Sequence, residues 1–250
     1  MQNETKICQN CKKDFTIEEN DFSFYEKIDV LPPKICPECR AQLRLSFRNE
    51  RFFYKRPCDN CKKNIISTFS PNKKYPVWCS ECWWSDDLDS KKYAKEYNPD
   101  KLFFYQFGEL WSKVPKPALV STRDINCSYL NLTADNKNCY VIVESSNNED
   151  CINCYWIQLS KDLVDCSFTQ QVELSYEVDD CYDSNNLKFS KGCYSCLDSA
   201  FLFDCRGCTD CLGCINLRGQ KYHIFNVLYS KEDYEKKILQ IRYIFWYRKF

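Results

Sequence analysis

Between Asn126 and Asn216 the chain keeps returning to an acidic or amide residue followed by cysteine: Asn126-Cys127, Asn138-Cys139, Asp150-Cys151, Asp165-Cys166, Asp180-Cys181 and Asp204-Cys205. Gly192-Cys193 fills the one gap, and successive cysteines of the series stand 12, 12, 15, 15, 12 and 12 residues apart. A short fixed period of this kind means one structural module stacked on the next, a solenoid. Modules such as Cys139-Tyr-Val-Ile-Val, Cys154-Tyr-Trp-Ile-Gln-Leu and Val172-Glu-Leu-Ser-Tyr-Glu-Val are rich in β-branched and aromatic residues, with Asp and Asn between them. Each therefore supplies one or two short strands and a turn. Twelve to fifteen residues suit either a whole small coil or half of a wider one. If each module is a coil, the seven stack to about 34 Å at a strand separation of about 4.8 Å. The cysteines then form a ladder of small buried thiols, acting as compact hydrophobes.

Twenty cysteines in 250 residues would mean disulfides in an exported chain. The polar start Met1-Gln2-Asn3-Glu4-Thr5-Lys6 has no apolar run behind it, and no run approaches the roughly 18 residues of a membrane helix. The expectation is a cytoplasmic protein with no membrane partner, its cysteines divided between metal ligands and buried thiols. Lys plus Arg equals Asp plus Glu at 35 each, so no global field selects nucleic acid. The charge is unevenly spread: 21 basic and 17 acidic residues over 1–120, 7 and 15 over 121–220, and 7 and 3 over 221–250. The repeat is acidic and its flanks are basic. All nine prolines lie at or before Pro117, which places a boundary near residue 118.

Cys8-Gln9-Asn10-Cys11 and Cys36-Pro37-Glu38-Cys39 are two CxxC pairs, and Cys58-Asp59-Asn60-Cys61 and Cys79-Ser80-Glu81-Cys82 are two more. Two residues between thiols let a tight knuckle present both sulfurs to one ion, and a second knuckle closes a tetrahedral four-cysteine site. The expected cofactor is zinc, two ions per chain. Redox CxxC pairs come singly, whereas these are doubled. The first 45 residues, with Lys13-Asp14-Phe15, Phe24-Tyr25, Pro32-Pro33-Lys34 and Arg40 around the cysteines, resemble the probable zinc-ribbon family of treble-clef type. The order of two CxxC modules, an aromatic helix and a cysteine-rich repeat ending in Gly213-Cys214-Ile215-Asn216-Leu217 is similar to uncharacterised bacterial zinc-ribbon proteins. The resemblance implies a fold and a metal, and no activity.

A helix opened by the second knuckle would put Arg40, Arg44, Arg48, Arg51 and Lys55, spaced 4, 4, 3 and 4 apart, on one side. Such a stripe can seat on phosphates or dock on the acidic repeat. Trp78, Trp83 and Trp84 crowd the last knuckle, where they pack a small metal core or stack on bases. After Asn98-Pro99, the residues Phe103, Phe107, Leu110, Trp111 and Val114 follow at helical spacing until Pro115, predicting an aromatic helix over the open end of the solenoid or against a partner. Ser230 and Asp233 suit a capping box, followed by Tyr234, Ile238, Ile241 and Phe245 on one face of a C-terminal capping helix.

The fold class expected is mixed, mainly β: two small four-cysteine zinc-finger modules of treble-clef or zinc-ribbon type, then a cysteine-rich parallel β-solenoid (β-helix) with helical caps. The domains expected are 1–56, 57–96, 97–120, 121–220 and 221–250. Cys205, Cys208, Cys211 and Cys214 are a further candidate metal set. A bacterial ferredoxin run reads CxxCxxCxxxCP, and the two-residue last gap with Ile215 in place of proline argues against an iron-sulfur cluster. His223, the single histidine, has no identifiable nucleophile or carboxylate beside it. The leading functional reading is a non-catalytic zinc scaffold meeting protein or nucleic acid through its N-terminal half. Two alternatives stand beside it: a redox or metal-handling protein using the solenoid thiols, and a β-helix enzyme on a carbohydrate or acyl substrate, with Asp179, Asp180 and Asp183 as paired carboxylates.

Overall fold

The computed structural model describes residues 2–247. The chain divides into two compact units, residues 1–49 and 50–250. In the first, β1 (Glu4–Ile7) and β2 (Asp14–Ile17) form an antiparallel hairpin with Glu4 opposite Ile17, followed by α1 (Glu19–Lys27) and α2 (Pro37–Leu45). Proline at the first position of α2 suits a site where the amide has no intrahelical acceptor. The second unit opens with the hairpin β3 (Tyr54–Pro57) and β4 (Asn64–Ser67), then β5 (Val77–Trp78) and the one-turn α3 (Ser80–Trp83). The boundary expected at residue 56 falls inside β3, because Tyr54 to Pro57 pair with Ser67 to Asn64. Next come α4 (Phe103–Lys113) and β6 (Lys116–Pro117), which pairs with β5 in parallel.

A β-solenoid of about nine turns occupies residues 121–224. Its strands are β7 (Ser121–Thr122), β8 (Asn131–Ala134), β9 (Tyr140–Ser146), β10 (Ile152–Gln158), β11 (Lys161–Val164), β12 (Ser167–Lys191), β13 (Leu197–Ala200), β14 (Thr209–Leu212) and β15 (Lys221–Ile224). Every parallel pairing within the solenoid has the same offset, as in Ser121↔Thr133, Ile152↔Val164, Asn185↔Leu197 and Thr209↔Lys221. The coil is therefore a constant 12 residues, which settles the choice left open by the sequence in favour of whole coils. The two 15-residue steps are not longer coils. They mark the cysteine series moving one inward position onward, from the column Cys127-Cys139-Cys151 to that of Cys166 and then to Cys181-Cys193-Cys205.

Within the coil the repeating unit is three residues. From Leu130 to Cys214 every third residue is buried, and from Arg123 to Phe225 every third residue has positive φ. The left-handed residue immediately precedes the inward one, so the chain turns a corner once per triplet and a coil has four short sides. This explains the Asn, Asp and Gly ahead of so many cysteines, since those residues tolerate the left-handed region best. It also explains how β12 remains one strand for 25 residues: it follows the corners around two coils.

The same geometry dictates what fills the interior. The residue after each inward one donates to the next coil, as in Tyr140 N to Cys151 O (2.9 Å), and each corner residue donates to the previous coil, as in Asn138 N to Ile125 O (3.0 Å). The inward residue's own N–H is left for the interior, and where a serine or asparagine stands one coil earlier its side chain accepts it. Ser145 Oγ accepts from Ile157 N (3.2 Å), Ser175 Oγ from Leu187 N (3.0 Å) and Ser199 Oγ from Cys211 N (3.0 Å). Buried amides need such partners. The core accordingly mixes Ile142, Ile157, Leu163, Val172 and Leu187 with Ser, Thr, Asn and Cys.

At the far end, β16 (Val227–Leu228) pairs antiparallel with β15 and covers its edge, and α5 (Lys231–Tyr247) follows. Ser230 Oγ accepts from Asp233 N at 3.1 Å, as a helix cap requires, and the buried Tyr234 meets the Tyr222 ring at 5.6 Å. The expected face of α5 includes Phe245, whose side chain lies outside the described residues, as does the tail Arg248–Phe250.

Candidate metal centres

The two N-terminal modules are the same device built twice. In the first, Cys8 N donates to Lys13 O (2.9 Å), Lys12 N returns to Cys8 O (3.0 Å) and Lys12 has φ of 63°. In the second, Cys58 N donates to Lys63 O (2.8 Å), Lys62 N to Cys58 O (3.0 Å) and Lys62 has φ of 64°. Each hairpin knuckle thus turns back tightly enough to present both its cysteines. The second pair sits at a helix start: Cys36 caps α2 with Cys39 in its first turn, and Cys79 caps α3 with Cys82 in its first turn. The sequence carried a signal for this duplication beyond the CxxC spacing, the matched runs Cys8-Gln-Asn-Cys-Lys-Lys13 and Cys58-Asp-Asn-Cys-Lys-Lys63.

The structure brings all eight expected ligands together as two groups. In each, the four sulfurs lie within 4.8 Å of one another, and among the described residues these are the groups of three or more ligands that close. The Cys11–Cys36 and Cys61–Cys79 sulfurs are both 3.8 Å apart. A disulfide would need about 2.05 Å. The edge of a tetrahedron around an ion about 2.3 Å from each sulfur is about 3.8 Å.

The surroundings favour thiolate. Cys36 N donates to Cys8 Sγ and Cys79 N to Cys58 Sγ, both at 3.3 Å, and Asn10 Nδ2 donates to Cys39 Sγ at 3.3 Å. Burial pushes the Cys8 thiol up, but the amides of Cys36, Cys11 and Asn10 outweigh it and leave the group at about 6. Cys58 falls to about 7 through the same balance, burial opposed by the amides of Cys79, Cys61 and Asn60. Cys79 moves the other way, to about 12, through burial and the neighbouring sulfurs of Cys82, Cys61 and Cys58. Four thiols this close cannot all ionise on their own, and a bound dication supplies the charge that lets them. In the second module Asp59 ties the knuckle to its flank: its Oδ2 accepts from Arg56 Nη2 (2.9 Å) and Val77 N (2.7 Å).

Cys205, Cys208, Cys211 and Cys214 take four successive inward positions, one per side of a coil, and all are buried. They do not close as a four-sulfur group. Each thiol is instead bonded to backbone two residues earlier, as in Cys208 Sγ to Arg206 O (3.5 Å) and Cys214 Sγ to Leu212 O (3.4 Å). The other inward cysteines follow the same rule, as Cys193 Sγ does to Lys191 O (3.5 Å), and Cys127 Sγ also accepts the amide one coil on, from Cys139 N at 3.2 Å. Cys193 is pushed up to about 12, first by its hydrogen bond with the Cys181 sulfur and then by burial, and burial also raises Cys205. A buried thiol so held is a packing and hydrogen-bonding group, and within the set the Cys211 sulfur lowers its neighbour Cys214 to about 6.

The basic stripe is not formed. Helix α2 ends at Leu45, with Ser46 as its cap, so only Arg40 and Arg44 of the five share it. Arg48 follows the helix, Arg51 belongs to the second unit, where its guanidinium lies 4.6 Å from the centre of the Tyr155 ring, and Lys55 is on β3. The spacing alone could not reveal this, because nothing in it marks where the short helix stops.

Asp180 and Asp183 are left-handed corner residues, and Asp179 pairs with Lys191 at 2.8 Å. Neither of two cavities, about 810 and 330 Å³, is lined by them. The larger lies between α5 and one solenoid flank, where Asp198 and Asp210 already meet Asn186 (2.7 Å) and Lys221 (3.6 Å). His223 is an inward core residue with its Nδ1 at 2.8 Å from Lys221 O.

The aromatic helix also differs from expectation. It does not lie over the solenoid end. The first coil is bordered by the second module, through Ile65, Ile66, Cys79 and Ser80 in the 330 Å³ cavity that Cys127 also lines, and Thr68 N reaches Ala118 O at 3.1 Å. No protein-family model matches the chain, and the curated proteins hold no match to it.

Proposed function

We propose that the protein is a non-catalytic zinc-binding scaffold, in which two structural zinc ions fix the paired four-cysteine modules and the solenoid provides a rigid support for macromolecular contact. The observation that carries this reading is the duplicated four-sulfur geometry, closed on all sides by cysteine. A catalytic site would keep a position open for water or substrate, whereas four thiolates leave none. Sulfur edges of 3.8 Å fit the zinc–thiolate distance, and amide donors to Cys8 and Cys58 stabilise the anionic set. Nucleic-acid contact loses its main support with the stripe, leaving Arg40 and Arg44 as the charges to test. The experiment is metal analysis of protein purified without added metal, with and without thiol alkylation. Two zinc ions per chain are expected, falling to one in Cys39→Ser and one in Cys82→Ser. A different metal, or a content that survives both substitutions, refutes the reading.

A further inference from the structure

Helix α4 carries the largest contradiction between sequence and surroundings. At about 100° per residue, Phe103, Phe107, Trp111 and Phe104 fall within an arc of about 100°, the width of a stripe that normally faces a core. Here the stripe faces solvent. Leu102 is 82% exposed, Phe103 60%, Phe104 82%, Phe107 53% and Trp111 44%, and the buried residue of the helix is Gln106. At about 200 Å² per large side chain these fractions amount to about 600 Å² of contiguous apolar surface, the size that marks an interaction site. The phenylalanines pack on one another, Phe103 with Phe104 at 5.4 Å and with Phe107 at 6.3 Å.

The stripe is held in place from behind. Gln106 Nε2 donates to Asn98 O and Lys101 O, both at 2.9 Å, and its Oε1 accepts from Asn98 N at 2.9 Å. Trp111 meets Tyr75 edge-on at 4.8 Å, with Lys116 Nζ 4.5 Å from the indole. These contacts fix the polar side and one end of the helix and leave the phenylalanines outward.

Charge selects the occupant. Between residues 91 and 116 six lysines stand against three carboxylates, and the one acid of the helix, Glu109, is paired with Lys95. Lys101 precedes the stripe and Lys113 follows it, both exposed. A second copy laid antiparallel on the stripe would set Lys101 against Lys113 at each end. An anionic surface takes both ends at once. The most exposed side chains project from a convex helix, which suits a deformable surface.

We propose that α4 is an interfacial anchor that lies on anionic lipid, Leu102, Phe103, Phe104, Phe107 and Trp111 entering the headgroup region and Lys101 and Lys113 meeting phosphates. Aromatic and leucine side chains on one face with lysines beside them are the composition of such helices. Among the described residues no helix is long and apolar enough to cross a membrane, and α4, at 11 residues, would rest on the bilayer and not span it. The inference stands on α4 alone and is independent of the metal reading.

The test is co-sedimentation of the full, metal-loaded chain with vesicles of phosphatidylcholine containing roughly one third phosphatidylserine, beside vesicles of phosphatidylcholine alone. Binding to the anionic vesicles is expected. Phe104→Ser with Phe107→Ser should abolish it, and Lys101→Glu with Lys113→Glu should weaken it at least about tenfold. Unchanged metal content and circular dichroism verify that the variants fold. Protein that stays in the supernatant with anionic vesicles overturns the proposal, and so does binding that survives loss of both phenylalanines. A dimer in light scattering that the phenylalanine variant converts to monomer, without vesicle binding, assigns the stripe to a second copy.

Discussion

Replacing Asn148 tests whether the solenoid interior is organised by the inward amide. Asn148 is buried in a vertical run in which Asn136 Oδ1 accepts from Asn148 N (3.1 Å) and Nδ2 (2.8 Å). Asn148 in turn donates through Nδ2 to Ile157 O (3.1 Å) and accepts through Oδ1 from Ser160 N (3.1 Å). In Asn148→Ala the two donated bonds are lost at about 1 kcal/mol each, and the Ser160 amide is left buried without its acceptor at about 1–3 kcal/mol, for a total of about 3–5 kcal/mol. Asn148→Ser differs in one respect. Serine at the equivalent positions 160 and 184 of this column accepts the amide one coil on, from Val172 N (3.2 Å) and Cys196 N (3.1 Å). The serine variant should therefore keep the amide satisfied and lose only about 2 kcal/mol. With a urea slope of about 3 kcal/mol per molar, the midpoint should fall by about 1–1.7 M in the alanine variant and by about 0.7 M in the serine variant. Urea unfolding followed by circular dichroism measures both midpoints, and amide exchange at Ser160 reads the bond directly. Coincident midpoints for alanine and serine would falsify the acceptor role.

Three further outcomes follow from the same geometry. Stripping metal with a strong chelator should unfold both hairpin modules and leave most of the solenoid β signal, because structural four-thiolate sites contribute about 10–16 kcal/mol of folding energy; loss of the whole β signal would show the solenoid to depend on the metal. In the metal-loaded chain Cys127, half-buried in the cavity beside Cys79, should be the first solenoid thiol to react with a thiol reagent, while the other eleven react only on unfolding. Early labelling of Cys205 to Cys214 would contradict their packing. Val141 is β-branched at φ of 56°, so Val141→Asn should stabilise by about 1 kcal/mol and raise the melting temperature by a few degrees in a thermal scan.

What the chain disclosed in advance was its chemistry at fixed spacing. The CxxC pairs located all eight clustered sulfurs, since ligand spacing in a knuckle is a local property. The solenoid was legible for the same reason, its period being written in residues that face inward. Coil size was not, because reading cysteines alone confounds a longer coil with a shift of column. Following every inward position, Ser, Thr, Asn and Ile included, gives a period of three that cysteine spacing hides. The basic stripe failed because a run of arginines at helical spacing says nothing about helix length, and α2 stops at Leu45. Helix α4 was found as a helix, but its partner was misjudged, since a sequence shows that a face is apolar and not what lies against it.

The prevalence of cysteine in the ladder has a physical cause that needs no metal. Four three-residue sides enclose little space, so large side chains on all four would overfill one level. The inward amide also gains an acceptor only where the coil before presents a polar side chain, which an aliphatic residue cannot give. Serine meets both needs, as Ser145, Ser175 and Ser199 do, at the cost of burying a strongly polar hydroxyl that must itself donate. Cysteine offers the same reach, accepts the amide more weakly, donates to the carbonyl two residues back and contributes apolar volume. The two residue types exchange within columns: Cys181 stands two coils beyond Ile157 in the column of Ser145, and Cys196 follows Ser184 directly. A swap such as Cys196→Ser should thus leave the fold intact and melt within a few degrees of the parent, whereas Cys196→Leu must force its extra volume against Cys193 and Cys205, both fully buried neighbours, and should cost about 1–3 kcal/mol. If the leucine variant is as stable as the serine one in thermal unfolding, the coil has room to spare and compactness is not why cysteine is there.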